Sequence, residues 1–260
     1  MEPYQAIEFT VEGGLALLTL NRPQVHNAIN RRMIEEWHDV VRRIQARPDI
    51  RVLIITGAGR SFQAGADIAE LRSMKPLELL RWNDGIISFF LALERMAPPV
   101  IAAVNGPAMG GGLELACACT IRLAAETAKL GLPEVKLGII PGAGGTARLP
   151  RLIGPGRAAE MILTGRTVEA QEALDLGLVD RIVDQGRVLA EAKETAVRIM
   201  ANGPVAVEMA KEAMVLGRDL PVEEAVKYAQ KNCVACMSTQ DMIEGTTAFL
   251  EKRRPSFEGR

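Results

Sequence analysis

The sequence predicts an α/β fold, with repeated strand–strand–helix units to about residue 195 and a helical tail beyond. Three observations predict it. Short apolar runs at 15–20, 51–56 and 100–104 have the length and β-branched content of buried strands. Segments of helical period, 31–47 and 76–96, lie between them. From Val188 onward the pattern is helical, with Pro204 and Pro221 as punctuation and Gly203 and Gly217 at the breaks. Composition fits a soluble globular chain: 260 residues, 48% hydrophobic, 24% charged, net charge −1. That balance gives no general attraction to nucleic acid or to an anionic membrane.

Taken in order, 6–11 and 15–20 flank Gly13-Gly14 and read as a β-hairpin. In 31–47, Met33, Ile34, Trp37, Val40, Val41 and Ile44 recur at helical spacing, while Arg32, Glu35, Glu36, Asp39, Arg42 and Arg43 form a solvated face. The strand at 51–56 feeds Gly57-Ala58-Gly59, but Phe62 stands where a dinucleotide-binding loop needs its third glycine. A short helix through Leu71 follows, with Asp67 as its cap. The 76–96 helix opens on Pro76, and its Trp82, Phe89 and Phe90 are expected in the core. Short strands are expected at 120–124, 128–130 and 178–183, with helices at 148–152 and 165–175.

Several chemistries are excluded. Asn105, Pro107 and Glu114 interrupt the apolar stretch 100–119, so it is no membrane span. Cys117, Cys119, Cys233 and Cys236 are read as small buried hydrophobes, because no second CxxC or nearby His completes a metal set. Neither His26 nor His38 neighbours a nucleophile elbow. The glycine loop 142–145 lacks the Lys-Ser/Thr ending of a phosphate loop. The N-terminus lacks a basic segment followed by an apolar one, so a cytoplasmic location is expected.

The chemistry concentrates at 98–114. An apolar strand ends at Asn105-Gly106-Pro107, and Gly110, Gly111 and Gly112 lead into a helix bearing Glu114 in its first turn. Bare backbone at a helix N-terminus presents unpaired N–H groups, a site for permanent or developing negative charge. A second junction of the same kind ends near Ala66. If the strands lie side by side, each junction contributes one N–H to a shared anion hole. A second carboxylate, Glu134, stands on the proline-fixed corner Leu132-Pro133.

These residues resemble the enoyl-CoA hydratase/isomerase (crotonase) superfamily along essentially the whole chain. The resemblance is carried by Asn21-Arg22-Pro23 with Asn27-Ala28, Ala64-Gly65-Ala66-Asp67-Ile68, Asn105-Gly106, Gly110-Gly111-Gly112-Leu113-Glu114, Leu132-Pro133-Glu134 and Pro141-Gly142-Ala143-Gly144-Gly145. It implies a crotonase-like spiral of ββα units over 1–195 carrying an acyl-CoA site. It further implies a C-terminal helical oligomerisation region over 196–260, serving a trimer or dimer of trimers. By resemblance, Ala66 and Gly111 donate to the thioester oxygen, Glu114 and Glu134 are catalytic, and Gly142 positions the water. Arg22, Val25, Ala28, Ala64, Asp67, Ile68, Phe249 and Lys252 would contact coenzyme A, which is part of the substrate; no further cofactor and no metal is implied. Ala69 stands where many relatives carry a lysine, so Arg22 or another cation would have to meet a phosphate. Glu114, near the helix N-terminus, is expected to stay ionised, and Glu134 to hold the proton. The activity implied is hydration of a 2-enoyl-CoA to a 3-hydroxyacyl-CoA. The alternatives are a double-bond isomerase on the same scaffold and an RNA-binding homologue using the arginines of 31–51.

Overall fold

The computed structural model describes residues 3–260. The chain opens with the hairpin β1 (Ile7–Glu12) and β2 (Leu15–Leu20), turned by Gly13 and Gly14. Both glycines have positive φ, as a type I′ turn requires. Helix α1 (Arg31–Gln45) starts where the Asn30 side chain accepts the Met33 N–H at 3.0 Å. Strand β3 (Val52–Gly57), α2 (Ile68–Ser73), α3 (Pro76–Arg95) and β4 (Val100–Val104) follow. Then come β5 (Ala108–Met109), α4 (Gly111–Ala118), β6 (Ile121–Ala125) and β7 (Lys129–Gly131). A 3-10 turn at Glu134–Leu137 precedes α5 (Gly145–Ile153), α6 (Pro155–Thr164), β8 (Thr167–Glu169), α7 (Ala170–Asp175) and β9 (Arg181–Val183). The chain ends in α8 (Val188–Met200), α9 (Pro204–Gly217), α10 (Val222–Cys236) and α11 (Gln240–Glu251).

The main sheet runs β1-β2-β3-β4-β6-β9, parallel except for the first pair. A smaller sheet, β5-β7-β8, stands beside it. Every residue of β3 and β4 is buried, which is why both read as unbroken apolar runs. Helix α8 packs on β3, β4 and β6, so the expected boundary between 195 and 196 falls inside a helix that covers the sheet. Trp37 of α1 stacks on Phe89 of α3 with centroids 4.6 Å apart, and Phe90 lies 6.1 Å from the same ring. Phe89 and Phe90 are therefore core residues. Among the described residues, no helix is long and apolar enough to cross a membrane.

The elements depart from the sequence reading in three places. The segment 165–175 is not one helix: β8 pairs antiparallel with β7, and α7 begins only at Ala170. Helix α6 was not expected; Gly154, at φ +85, ends α5, and Pro155 at once starts the next helix. Cys117 and Cys119 are buried as expected, but Cys233 is exposed and Cys236 only half-buried. Both lie on α10, which has no fully buried residue in the single chain.

Candidate active site

Two strand ends build the site. Beyond β3, the fully buried Asn27 side chain donates to the Ala58 and Ser61 carbonyls at 2.9 Å each and accepts the Arg22 N–H at 2.9 Å. This ties the loop after β3 to the loop after β2. A one-residue parallel bridge then joins Ile29 to Ala66: Ile29 N–H donates to Gly65, and Asp67 N–H donates to Ile29, both at 2.8 Å. Such a bridge uses the amides flanking Ala66 and leaves Ala66's own N–H turned away. Beyond β4, Asn105 clasps Gly57 through both its N–H and its carbonyl, holding the two strand ends together. Met109 N–H donates to Gln63 at 2.9 Å, and Gly110, at φ +54, turns the chain into α4.

Glycine lets these two loops meet. A Cβ on Gly65, where φ is +88, would lie 3.0 Å from the Met109 carbonyl and 3.4 Å from the Gly111 nitrogen. A Cβ on Gly112 would fall 2.2 Å from the Gln63 carbonyl, so only glycine permits that approach. The Gly111 N–H is thereby brought beside Gly65-Ala66. Among the described residues, no backbone acceptor takes the N–H of either Ala66 or Gly111.

The two carboxylates reach the same place from opposite sides. Glu114, in the first turn of α4, is buried, and its Oε1 accepts the Ala143 N–H at 2.9 Å and the Gly145 N–H at 2.7 Å. Burial pushes its pKa up, while these two amides and the Arg148 charge pull the other way. The two amides and Arg148 thus favour the ionised Glu114 expected from its first-turn position, and burial opposes them as the largest influence. Glu134 starts the 3-10 turn after Pro133 and points at the glycine loop, so a Cβ on Gly110 would lie 3.0 Å from its Oε1. Its Oε2 is buried with no hydrogen-bond partner. Burial first, and the Glu114 charge after it, raise its pKa from 4.5 to about 7. Of the two, Glu134 is the one poised to exchange a proton near neutrality.

Ala66, Gly111, Glu114 and Glu134 line one cavity of about 510 Å³, whose walls include Ile68, Leu71, Trp82, Ile86, Leu137 and Ile139. Two free amides, two carboxyls and an apolar wall can hold an acyl carbonyl, move protons to and from one small reactant, and shelter a hydrocarbon chain. A profile of the family described as Enoyl-CoA hydratase/isomerase matches residues 10–260. The chain belongs to the enoyl-CoA hydratase/isomerase family. Among its relatives, a protein named crotonyl-CoA hydratase from Syntrophomonas wolfei is 44% identical over 255 residues, 98% of each chain. A short-chain-enoyl-CoA hydratase from Clostridium acetobutylicum is 43% identical over 244 residues, 94% of each chain. The crystal structure of an enoyl-CoA hydratase from Bacillus anthracis superposes with a TM-score of 0.96 at 41% identity, covering 98% of this chain and 100% of that one.

Of the remaining residues that the family resemblance singled out, Ala64, Ile68 and Gly142 also line the cavity. Arg22, Val25, Ala28 and Asp67 do not. Arg22 is committed elsewhere, to the Asp67 carboxylate at 3.0 Å and the Ala28 carbonyl at 2.6 Å, and Asp67 also caps α2. The pair braces the Ala64–Ile68 segment against the loop after β2. Phe249 and Lys252, at the end of α11, are not brought to the cavity of their own chain, and Phe249 is 82% exposed. Trp82 is buried in the core, as expected, and also lines the cavity. The sequence reading missed Asn83, whose Nδ2 donates to the Gly142 carbonyl at 3.0 Å, and the amides of Ala143 and Gly145. Both amides lie in the glycine loop read as a turn, and no local signal ties that loop to Glu114.

Proposed function

We propose that this protein is an enoyl-CoA hydratase, adding water across the 2,3 double bond of a 2-enoyl-CoA thioester to give a 3-hydroxyacyl-CoA. The observation that carries the reading is the meeting of Glu114 and Glu134 with the acceptor-free amides of Ala66 and Gly111 in one cavity. Water held between the two carboxyls attacks C3. The electron pair of the double bond moves toward the thioester carbonyl, whose oxygen takes the negative charge and is met by the two amides. Glu134 then delivers its proton to C2, the second water proton passes to Glu114, and the pair re-equilibrates by proton exchange. Each oxyanion donor is worth ~3–4 kcal/mol in such sites, and each acid/base group ~10²–10⁴-fold in rate.

The relatives named crotonyl-CoA and short-chain-enoyl-CoA hydratase support a short acyl chain. Both glutamates standing in the cavity favour hydration over isomerisation, which needs no water positioned between two carboxyls. The RNA-binding alternative draws no support from the arginines of 31–51: Arg31 meets Glu70, Arg32 meets Glu36, Arg42 and Arg43 meet Asp39, Arg47 meets Asp49, and Arg51 donates to the Asn202 carbonyl. A homo-oligomer, a trimer or dimer of trimers, belongs to the same proposal. Val222, Val226, Phe249 and Leu250 on α10 and α11 are exposed apolar residues of the kind an interface covers. A cytoplasmic location is likewise proposed, and the four free cysteines suit a reducing compartment. Mixing the protein with crotonyl-CoA tests the reading: the conjugated thioester absorbance should fall as 3-hydroxybutyryl-CoA forms. Turnover of a 3-enoyl-CoA to the 2-enoyl isomer without hydration would favour the isomerase instead.

A further inference from the structure

Arg148 lies on α5, behind the loop whose amides hold Glu114. Its side chain is 9% exposed, yet every arm is occupied. Nε and Nη2 grip the Glu94 carboxylate at 3.1 and 2.9 Å, and Nη1 donates to the Ala143 carbonyl at 3.0 Å. Glu94, on α3, is 11% exposed and meets a second cation, Arg218, just past the end of α9, at 3.5 Å. Gly144 makes the reach possible: its φ is +112, and a Cβ there would fall 2.0 Å from Arg148 Nη1. A buried ion pair is a weak route to stability, so its placement here calls for another reason.

Peptide planarity supplies that reason. The carbonyl that Arg148 holds belongs to the peptide between Ala143 and Gly144. The peptides on either side of it carry the two N–H groups that hold Glu114 Oε1. A grip on the middle peptide fixes its plane and so restricts the rotation of the two peptides joined to it. Within any one trans peptide the C=O and N–H point oppositely, so a grip on one also aims the other. Asn83 applies the same grip to the Gly142 carbonyl, and that peptide carries the Ala143 N–H. Helix α3 therefore holds the loop at two points, through Asn83 directly and through Glu94 by way of Arg148.

We propose that the Glu94–Arg148 pair positions the reaction's acid–base machinery, fixing the peptide between the two amide donors and thereby how firmly Glu114 holds its proton. Arg148 touches no reacting atom; it is a positioning residue. The ionisable groups facing Glu114 are Arg148 from α5, Glu134 from its 3-10 turn and Cys117 from α4, with Glu94 acting through Arg148. Cys117, its thiol pushed up to about 12 by burial, stays neutral. The Arg148 charge and the two amides both favour ionised Glu114, against burial. Removing Arg148 weakens both influences, so Glu114 should keep its proton to higher pH.

The inference rests on the hydratase reading, so the test joins turnover to a measurement that needs none. Wild type, Arg148→Met, Arg148→Lys and Glu94→Gln are compared for kcat and KM on crotonyl-CoA across pH, and for the titration of Glu114 by carbon NMR of isotope-labelled glutamate, assigned with Glu114→Gln. Arg148→Met should lower kcat about 10²-fold with KM within about threefold. Its Glu114 titration and the acid limb of its kcat profile should both move to higher pH. Arg148→Lys, which keeps the charge, should restore the titration more fully than the rate. Glu94→Gln, which preserves size, should shift in the same direction by less, and it carries the test should Arg148→Met not fold. An unmoved Glu114 titration in folded Arg148→Met or Glu94→Gln would overturn the proposal. A wild type that hydrates no enoyl-CoA would sink the hydratase reading, and the titration would still decide this one.

Discussion

Replacing Glu134 by glutamine removes the most strongly perturbed carboxyl of the cavity while keeping its shape. Burial, aided by the Glu114 charge, lifts that carboxyl from 4.5 to about 7. In the unfolded chain it titrates at its ordinary 4.5, so between these values the folded protein binds more protons than the unfolded one. The sign follows. The group favours the folded state fully below 4.5 and loses that contribution as pH rises toward about 7, beyond which an ionised carboxylate sits poorly solvated beside Glu114. At ~1.4 kcal/mol per pH unit the whole displacement corresponds to ~3 kcal/mol. Glu134 keeps some solvent contact, so screening reduces the working figure to ~1–2 kcal/mol. Glutamine carries no charge at any pH. E134Q should therefore match wild type within about 0.5 kcal/mol below pH 4.5 and be about 1–2 kcal/mol more stable above neutrality. Urea unfolding of both proteins, at matched concentration and several pH values, reads the difference. The same variant should lose ~10²–10⁴-fold in hydration rate, a gain in stability set against a loss of function. A stability difference that stays flat with pH, or shrinks as pH rises, would refute this reasoning, as would near-wild-type turnover.

Other perturbations separate the parts of the site. Gly65→Ala places a Cβ at φ +88 against the Met109 carbonyl and the Gly111 nitrogen; it should cost about 1–3 kcal/mol of stability and, by splaying the two amides, ~10²–10³-fold in kcat, read by thermal melts and initial rates. Asp67→Ala removes both the α2 cap and the Arg22 partner; denaturant titration should show about 1–2 kcal/mol lost, and Asp67→Asn should recover part of it by keeping the cap. Lys211, buried on α9, donates to the Leu93, Met96 and Pro98 carbonyls. Its replacement by Met strands three acceptors between α3 and β4 and should lower stability by about 2–3 kcal/mol, with a Tm drop as the readout.

Much of the site was legible in the chain because it is written in residue types that backbone geometry forces. Gly65 and Gly112 must be glycine for the two loops to touch, and Asn27 and Asn105 must carry short amides to pin them. The buried strands β3 and β4 declared themselves by unbroken apolar runs. Elements that escaped are those without local period. Strand β8 has one buried residue, Val168, and exists through its pairing with β7. The Glu94–Arg148 contact spans 54 positions, and Asn83 meets Gly142 across 59; nothing near either residue announces its partner. Glu114 teaches the same lesson in electrostatics. Its place in a first turn pointed to an ionised carboxylate, but nothing local announced the opposing burial, which comes from the packing of α4 against α3 and α5.

The most direct measurement is a crystal structure of the E114Q/E134Q double variant with a bound 2-enoyl-CoA. The thioester oxygen should lie ~2.7–3.1 Å from the nitrogens of both Ala66 and Gly111, with C3 facing the gap between positions 114 and 134. A thioester oxygen that contacts neither amide, or an acyl chain held outside this cavity, would contradict the site as described.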